Sequence, residues 1–221
     1  MISKFTKSNI VKYNSMCLHY NLVADACYKK LTTLKDPTNP DYFPFIIAAL
    51  ISFDMNRQMG SGLEDKYIVA KGKFASRLHH KICANQAVIK HLSSQSITTV
   101  SMEAEKKDIV DLYDSLALKS PTSNQGLSDS DTDFHVGATK ILHFINPELF
   151  PIIDSNVAKF ATEFELAKYM NTTQPGYTSS KYVLFMQGAQ SAISSFSSTK
   201  FQSLEPGTPI MRIFDKIAFS A

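Results

Sequence analysis

The sequence predicts an all-α protein, a single helical domain of eight to ten helices over residues 1–221. Three observations predict it. Apolar residues recur at three- and four-residue spacing along most of the chain, no segment alternates convincingly as a strand, and the breaks coincide with Asp36-Pro37, Asn39-Pro40 and Asn146-Pro147. A chain of 221 residues with 44% apolar and 19% charged residues suits one ordinary globular domain with a sizeable core.

Taken in order, residues 3–31 carry one or two amphipathic helices that stop at KDPTNPDYFP. PFIIAALISFDMNRQMG is a strongly apolar helix, with Pro44 in its first turn and Gly60 and Gly62 at its end. FASRLHHKICANQAVIKHLSS reads as one further helix that faces Leu78, Ile82, Val88 and Ile89 inward. From Met102 to Leu118, Ile109, Leu112, Tyr113 and Leu116 repeat at helical spacing. KSPTSNQGLSDSDTD is a polar loop. A helix from Phe134 ends at Asn146-Pro147, and another from Ser155 buries Val157, Phe160, Ala161 and Phe164. Tyr182–Ser194 and a short helix within EPGTPIMRIFDKIAF complete the chain.

The totals exclude several classes. No apolar run is long enough to span a membrane, and MISKFTKSNIVKYNSMCLHYNL lacks the apolar core and small-residue cleavage site of a signal peptide, so a cytoplasmic protein is expected. Cys17, Cys27 and Cys83 are odd in number and widely spaced, which argues against a disulfide framework, a zinc site or an iron–sulfur cluster; reduced, mostly buried thiols are expected, with no metal and no cofactor. Net charge is +3, but it is unevenly spread. Residues 66–91 hold six Lys or Arg and three His with no acid, whereas residues 103–133 hold eight acids against three Lys. That split suggests an electropositive face able to hold a polyanion; a solvated lysine-rich helix is the plainer alternative.

The densest stretch is HVGATKILHFINPELFPIIDSNVAKF, residues 135–160. Asp154 stands at the head of a helix, just after the apolar Phe150, Ile152 and Ile153. It reads either as a plain N-cap or as a fixed, partly desolvated carboxylate able to stabilise a cation or to deprotonate a nucleophile, because both roles use the same geometry. On a helical wheel Lys140 and His143 lie away from the apolar face, so Lys140 is either a solvated lysine or one aimed at a cleft.

This pairing resembles the helix–hairpin–helix DNA glycosylase superfamily, in the branch with an 8-oxoguanine glycosylase fold. Val136-Gly137-Ala138-Thr139-Lys140 is similar to the glycine-containing hairpin and its lysine, and Pro151-Ile152-Ile153-Asp154-Ser155-Asn156-Val157-Ala158-Lys159 to the aspartate segment. The match is tight over about 25 residues and loose over about 15 more, in IIAALISFDMNRQMG. Asp133-Phe134-His135 replaces the usual leucine-proline-glycine lead-in, and the gap of 14 residues from Lys140 to Asp154 is short by about one helical turn. A shift of one residue would put Thr139 at the reacting position, which implies a hydrolase without lyase activity.

The resemblance implies an all-helical domain with a DNA cleft between residues 1–120 and the hairpin and aspartate segment at 131–170. It implies Lys140 and Asp154 as catalytic residues. Asn56, Arg57, Gly137, Ser155, Asn156 and Lys159 would contact DNA, with Asn56 and Arg57 in a loop that fills the gap left by an extruded nucleotide. Phe53, His143 and Phe214 would line a base pocket, for which Tyr177 and Phe219 are further aromatic candidates. The implied activity is excision of an oxidised or otherwise modified base from double-stranded DNA by a monomer, in DNA repair or in anti-phage defence. A nucleic-acid-binding module that keeps the fold without the chemistry is the alternative.

Overall fold

Each helix starts and stops where a specific group satisfies the chain. The structure, a computed structural model, describes residues 2–58, 65–117, 135–163 and 178–220, and within them the side chains of residues 2, 51, 53–58, 65–74, 155 and 161–163 are not described. After a short 3-10 turn at Ile2–Lys4 come α1 (Lys7–Met16) and α2 (Leu18–Leu34). The Thr6 hydroxyl accepts from the Asn9 N–H at the head of α1. Lys35 closes α2 in the left-handed region, at φ 55°, with its N–H on the Leu31 carbonyl.

α3 (Phe43–Gln58) carries Pro44 in its first turn, as expected, and runs through Asn56 and Arg57. Those two residues therefore lie on a helix rather than in a loop; their side chains, and Gly60 and Gly62, are outside the described residues. The helix expected across residues 74–94 is two: α4 (Asp65–Ala84) and α5 (Gln86–Leu92). Asn85 causes the break. Its side-chain amide donates to the Lys81 carbonyl and the Ser115 hydroxyl, both at 2.8 Å, so a side chain competes with the backbone for a helical acceptor.

α6 (Met102–Leu116) is capped by Ser101 and buries Ile109, Leu112, Tyr113 and Leu116 as the spacing predicts. α7 (His135–Ile145) and α8 (Ser155–Glu163) follow. α9 (Ser179–Phe196) is longer than expected because Thr178 caps it, four residues before Tyr182. The chain closes with α10 (Ser198–Gln202) and an eleven-residue α11 (Ile210–Ser220). Among the described residues there are eleven α-helices, against the eight to ten expected, and no strand. None of the helices described is long and apolar enough to cross a membrane.

Two helices run through the interior. α7 packs between α3 and α6, and α11 packs on α1, α8 and α10. The phenylalanines Phe5, Phe160, Phe185, Phe201 and Phe214 form a core of edge-on ring contacts around α11. The three cysteines are free thiols, but only Cys27 is buried, where desolvation pushes its thiol up to about 12; Cys17 is half-buried and Cys83 exposed.

Among the described residues the two charge blocks are neighbours. α6 packs against α4 and α5, and the His91 ring lies 2.9 Å from the Glu105 carboxylate. The basic segment is therefore partly matched by the acidic one beside it.

Candidate active site

The non-helical stretch from Asn146 to Asp154 is almost wholly buried, so its backbone groups need partners other than water. Four side chains, with two backbone N–H groups, supply them. The Asn146 amide donates to the carbonyls of Leu92 and Gln95, each at 2.8 Å, and its oxygen accepts from the Glu148 N–H. The Glu148 carbonyl accepts from Ile97 N–H, and that of Pro147 from Met211 N–H. His143 Nδ1 donates to the Phe150 carbonyl at 2.7 Å, and Tyr182 donates to the Pro151 carbonyl at 2.9 Å. Last, the Ile153 N–H donates to the Thr139 hydroxyl at 3.1 Å, while that hydroxyl donates to the Val136 carbonyl at 2.8 Å.

Asp154 follows directly on this clamped segment. Its Oδ1 accepts from the N–H groups of Asn156 and Val157 at 2.9 and 3.0 Å, so the carboxylate is the N-cap of α8 and sits at the positive end of the helix dipole. The Thr139 hydroxyl thus ties the helix carrying Lys140 to the residue before Asp154. Thr139 is fully buried and committed at its hydroxyl, so it is not presented to a substrate. Lys140, the next residue, is half-buried.

His143 departs from the helical wheel, which puts it with Lys140 on a polar side. It is fully buried, and both ring nitrogens are engaged. A carbonyl can only accept, so Nδ1 carries the proton, and Nε2 accepts from the Tyr28 hydroxyl at 2.6 Å. Burial, with the nearby Arg212 charge, pushes the imidazole down to about 3, which keeps it neutral. The ring is a structural pin and leaves no nitrogen to read a base.

The sequence reading missed a buried polar network behind Asp154. Arg212 and Asp215, both on α11, are 1% and 3% exposed and form a direct ion pair. The Arg212 guanidinium also donates to Asn21 Oδ1 at 2.6 Å and lies between the rings of Tyr13 and Tyr20, 4.8 and 4.6 Å from their centres. Burial pushes the Asp215 carboxyl up to about 6; Arg212 and Lys140 pull it back down, and the negative charge of Asp154 pushes it further up. Cys17, at the junction of α1 and α2, also feels Asp154 and Arg212, and its thiol is raised by burial.

The remaining predicted residues are scattered. Gly137 is buried in the first turn of α7 with ordinary helical backbone. Asn156 is half-buried and Lys159 exposed on α8, which Ser155 opens with its side chain outside the described set. Phe214 is fully buried, closed in by Phe5, Phe160 and Phe185, and presents no open face to a base. Phe219 is half-buried edge-on against Tyr13. Phe53 lies on α3 with its side chain outside the described residues, and Tyr177 falls outside them altogether.

Compared with family models, curated proteins and solved structures, the chain matches none. Among the described residues the fold is all-helical, Asp154 caps α8, Lys140 is half-buried on α7, and α8 packs on the helix that carries the buried Arg212–Asp215 pair.

Proposed function

We propose that the protein is a DNA glycosylase that removes an oxidised or otherwise modified base from double-stranded DNA, in repair or in defence against invading DNA. The observation that carries this reading is the Thr139 clamp, which ties the helix of Lys140 to the segment of Asp154. A base within a duplex is out of reach, so the nucleotide must first be extruded. As the glycosidic bond breaks, Asp154 stabilises the positive charge growing on the sugar. The Lys140 amine, once it has lost a proton, bonds to the sugar carbon and yields a Schiff base through which the strand can be cleaved by elimination. Exposed lysines such as Lys159 supply sequence-independent phosphate attraction.

Borohydride trapping tests this. Labelled duplexes carrying 8-oxoguanine, hydroxymethylated or glucosylated cytosine, or uracil are mixed with the protein and reduced. A covalent band that Lys140→Ala abolishes supports a lysine-dependent glycosylase and identifies its substrate class. Abasic sites without a band support a hydrolase in which Asp154 activates water. Salt-dependent DNA binding with neither product instead points to a binding module without the chemistry.

A further inference from the structure

Two acidic side chains of α6 converge beside the end of α5. Glu105 and Asp108 are three apart, which puts them on one helix face. His91, in the last turn of α5, brings its ring to 2.9 Å from the Glu105 carboxylate. One donor atom from each of the three residues lies within 4.8 Å of the other two. Carboxylates of like charge gain by diverging, and these converge while the neighbouring lysines serve other acids. Lys90 faces Asp36 at 3.4 Å, and Lys107 is paired with Asp111. Both helices are anchored from behind, since Ile89, Leu92, Ile109 and Leu112 are fully buried. The Glu105 side chain is only 16% exposed, and His91, at 48%, leaves one side of the trio open to water.

We propose that His91, Glu105 and Asp108 form a binding site for a divalent transition-metal ion of the zinc class, bridging α5 and α6. The donor set decides the class. An imidazole nitrogen with two carboxylate oxygens suits zinc and its neighbours in the first transition row, whereas magnesium and calcium favour oxygen alone. The sequence argued against a zinc site because its cysteines are few and scattered; this set uses none of them. Zinc bonds of roughly 2.0–2.2 Å hold tetrahedral ligands about 3.3 Å apart. The His91 ring and Glu105 sit just inside that spacing, and the whole trio lies close enough that small side-chain adjustments close it on an ion. Three protein ligands leave a further position to water, on the exposed side. A bound dication would also cancel two of the negative charges that α6 sets beside the basic α4–α5 segment. The proposal is independent of the roles given to Lys140 and Asp154.

Zinc titration of the full, untagged chain by isothermal calorimetry, in a buffer without chelators, tests this. The wild type should take up one ion per chain at this site with micromolar affinity. His91→Asn and Asp108→Asn should each weaken uptake by about tenfold or more, with the far-UV circular dichroism unchanged. A simple ion pair of His91 with Glu105 has no use for Asp108, so the second variant separates a metal site from that pair. Cys83→Ser removes the thiol that lies 3.8 Å from His79 on α4, and it should leave uptake unchanged. Cobalt gives a second readout: its bound spectrum should lack the thiolate-to-metal charge-transfer band. No zinc uptake by the wild type overturns the proposal. Uptake that survives His91→Asn or Asp108→Asn in full, or that Cys83→Ser abolishes, overturns it as well.

Discussion

His143→Gln should weaken the protein at neutral pH and strengthen it, relative to wild type, in acid. The neutral imidazole is held by the Phe150 carbonyl and the Tyr28 hydroxyl, and burial pushes its ionisation from the ordinary 6.5 down to about 3. Glutamine satisfies at most part of this pair, so at pH 7 the variant should lose about 2 kcal/mol. The pH dependence has a definite sign. A group whose folded value is depressed stabilises the fold above its unfolded value, and that stability drains away as pH falls, because the unfolded chain takes up a proton that the folded chain refuses. Each pH unit below 6.5 therefore costs the wild type about 1.4 kcal/mol from this residue, and glutamine has no such loss. Between pH 6.5 and 4.5 the difference between the two proteins should shift by about 2.3 kcal/mol in favour of the variant. The stabilities should cross near pH 5. Urea unfolding followed by far-UV circular dichroism, at several pH values on both proteins, reads the difference directly and cancels every group they share. A difference constant from pH 7 to 4.5 would refute the reasoning, since it would mean that His143 titrates alike in the folded and unfolded chains.

Three further perturbations probe the same frame. Thr139→Val removes the acceptor of the Ile153 N–H, so stability should fall by about 1–3 kcal/mol, exchange of the Ile153 amide should accelerate, and Thr139→Ser should retain both. Asn146→Leu strands two carbonyls and one N–H at a site only 4% exposed; a loss of roughly 3 kcal/mol or more in urea unfolding is expected. Lys35→Gly relieves a left-handed backbone at the end of α2, at φ 55°, and should gain about 1 kcal/mol, seen as a melting temperature about 2–4 °C higher.

Helix starts and inward faces were legible where a local signal exists. Pro44 in the first turn of α3, the inward set on α6 and the position of Asp154 at the head of α8 all follow from residue type and spacing. The split at Asn85 was not legible, because the same residue continues many helices; here its side-chain amide bridges the Lys81 carbonyl and the Ser115 hydroxyl, thirty positions away. The burial of Thr139 was equally closed to sequence. It turns on which side chain the 151–153 backbone reaches, and a wheel carries no information on that.

The buried polar network shows why periodicity misled most where the chemistry is richest. Lys140 and His143 are three apart, and Arg212, Asp215 and Lys216 lie three and four apart, so each set reads as the solvent face of an amphipathic helix. Spacing fixes which residues share a face but not what covers it. In the structure His143, Arg212 and Asp215 are shut in by tyrosines of α1 and α2, so polar faces of α7 and α11 lie inside the protein. Tyr13, Tyr20 and Tyr28 recur at intervals of seven and eight residues, and that recurrence was the available signal: tyrosine brings a large apolar body and one polar tip, which suits a lid over buried polar groups. A core built only for stability has little use for such groups, since a fully apolar filling of equal volume is as stable or more so. Burial here shifts His143 and Asp215 in opposite directions, one held neutral far into acid and the other kept protonated toward neutrality. Desolvation raises a buried acid and lowers a buried base alike, so both shifts follow from the closed cover of α1 and α2.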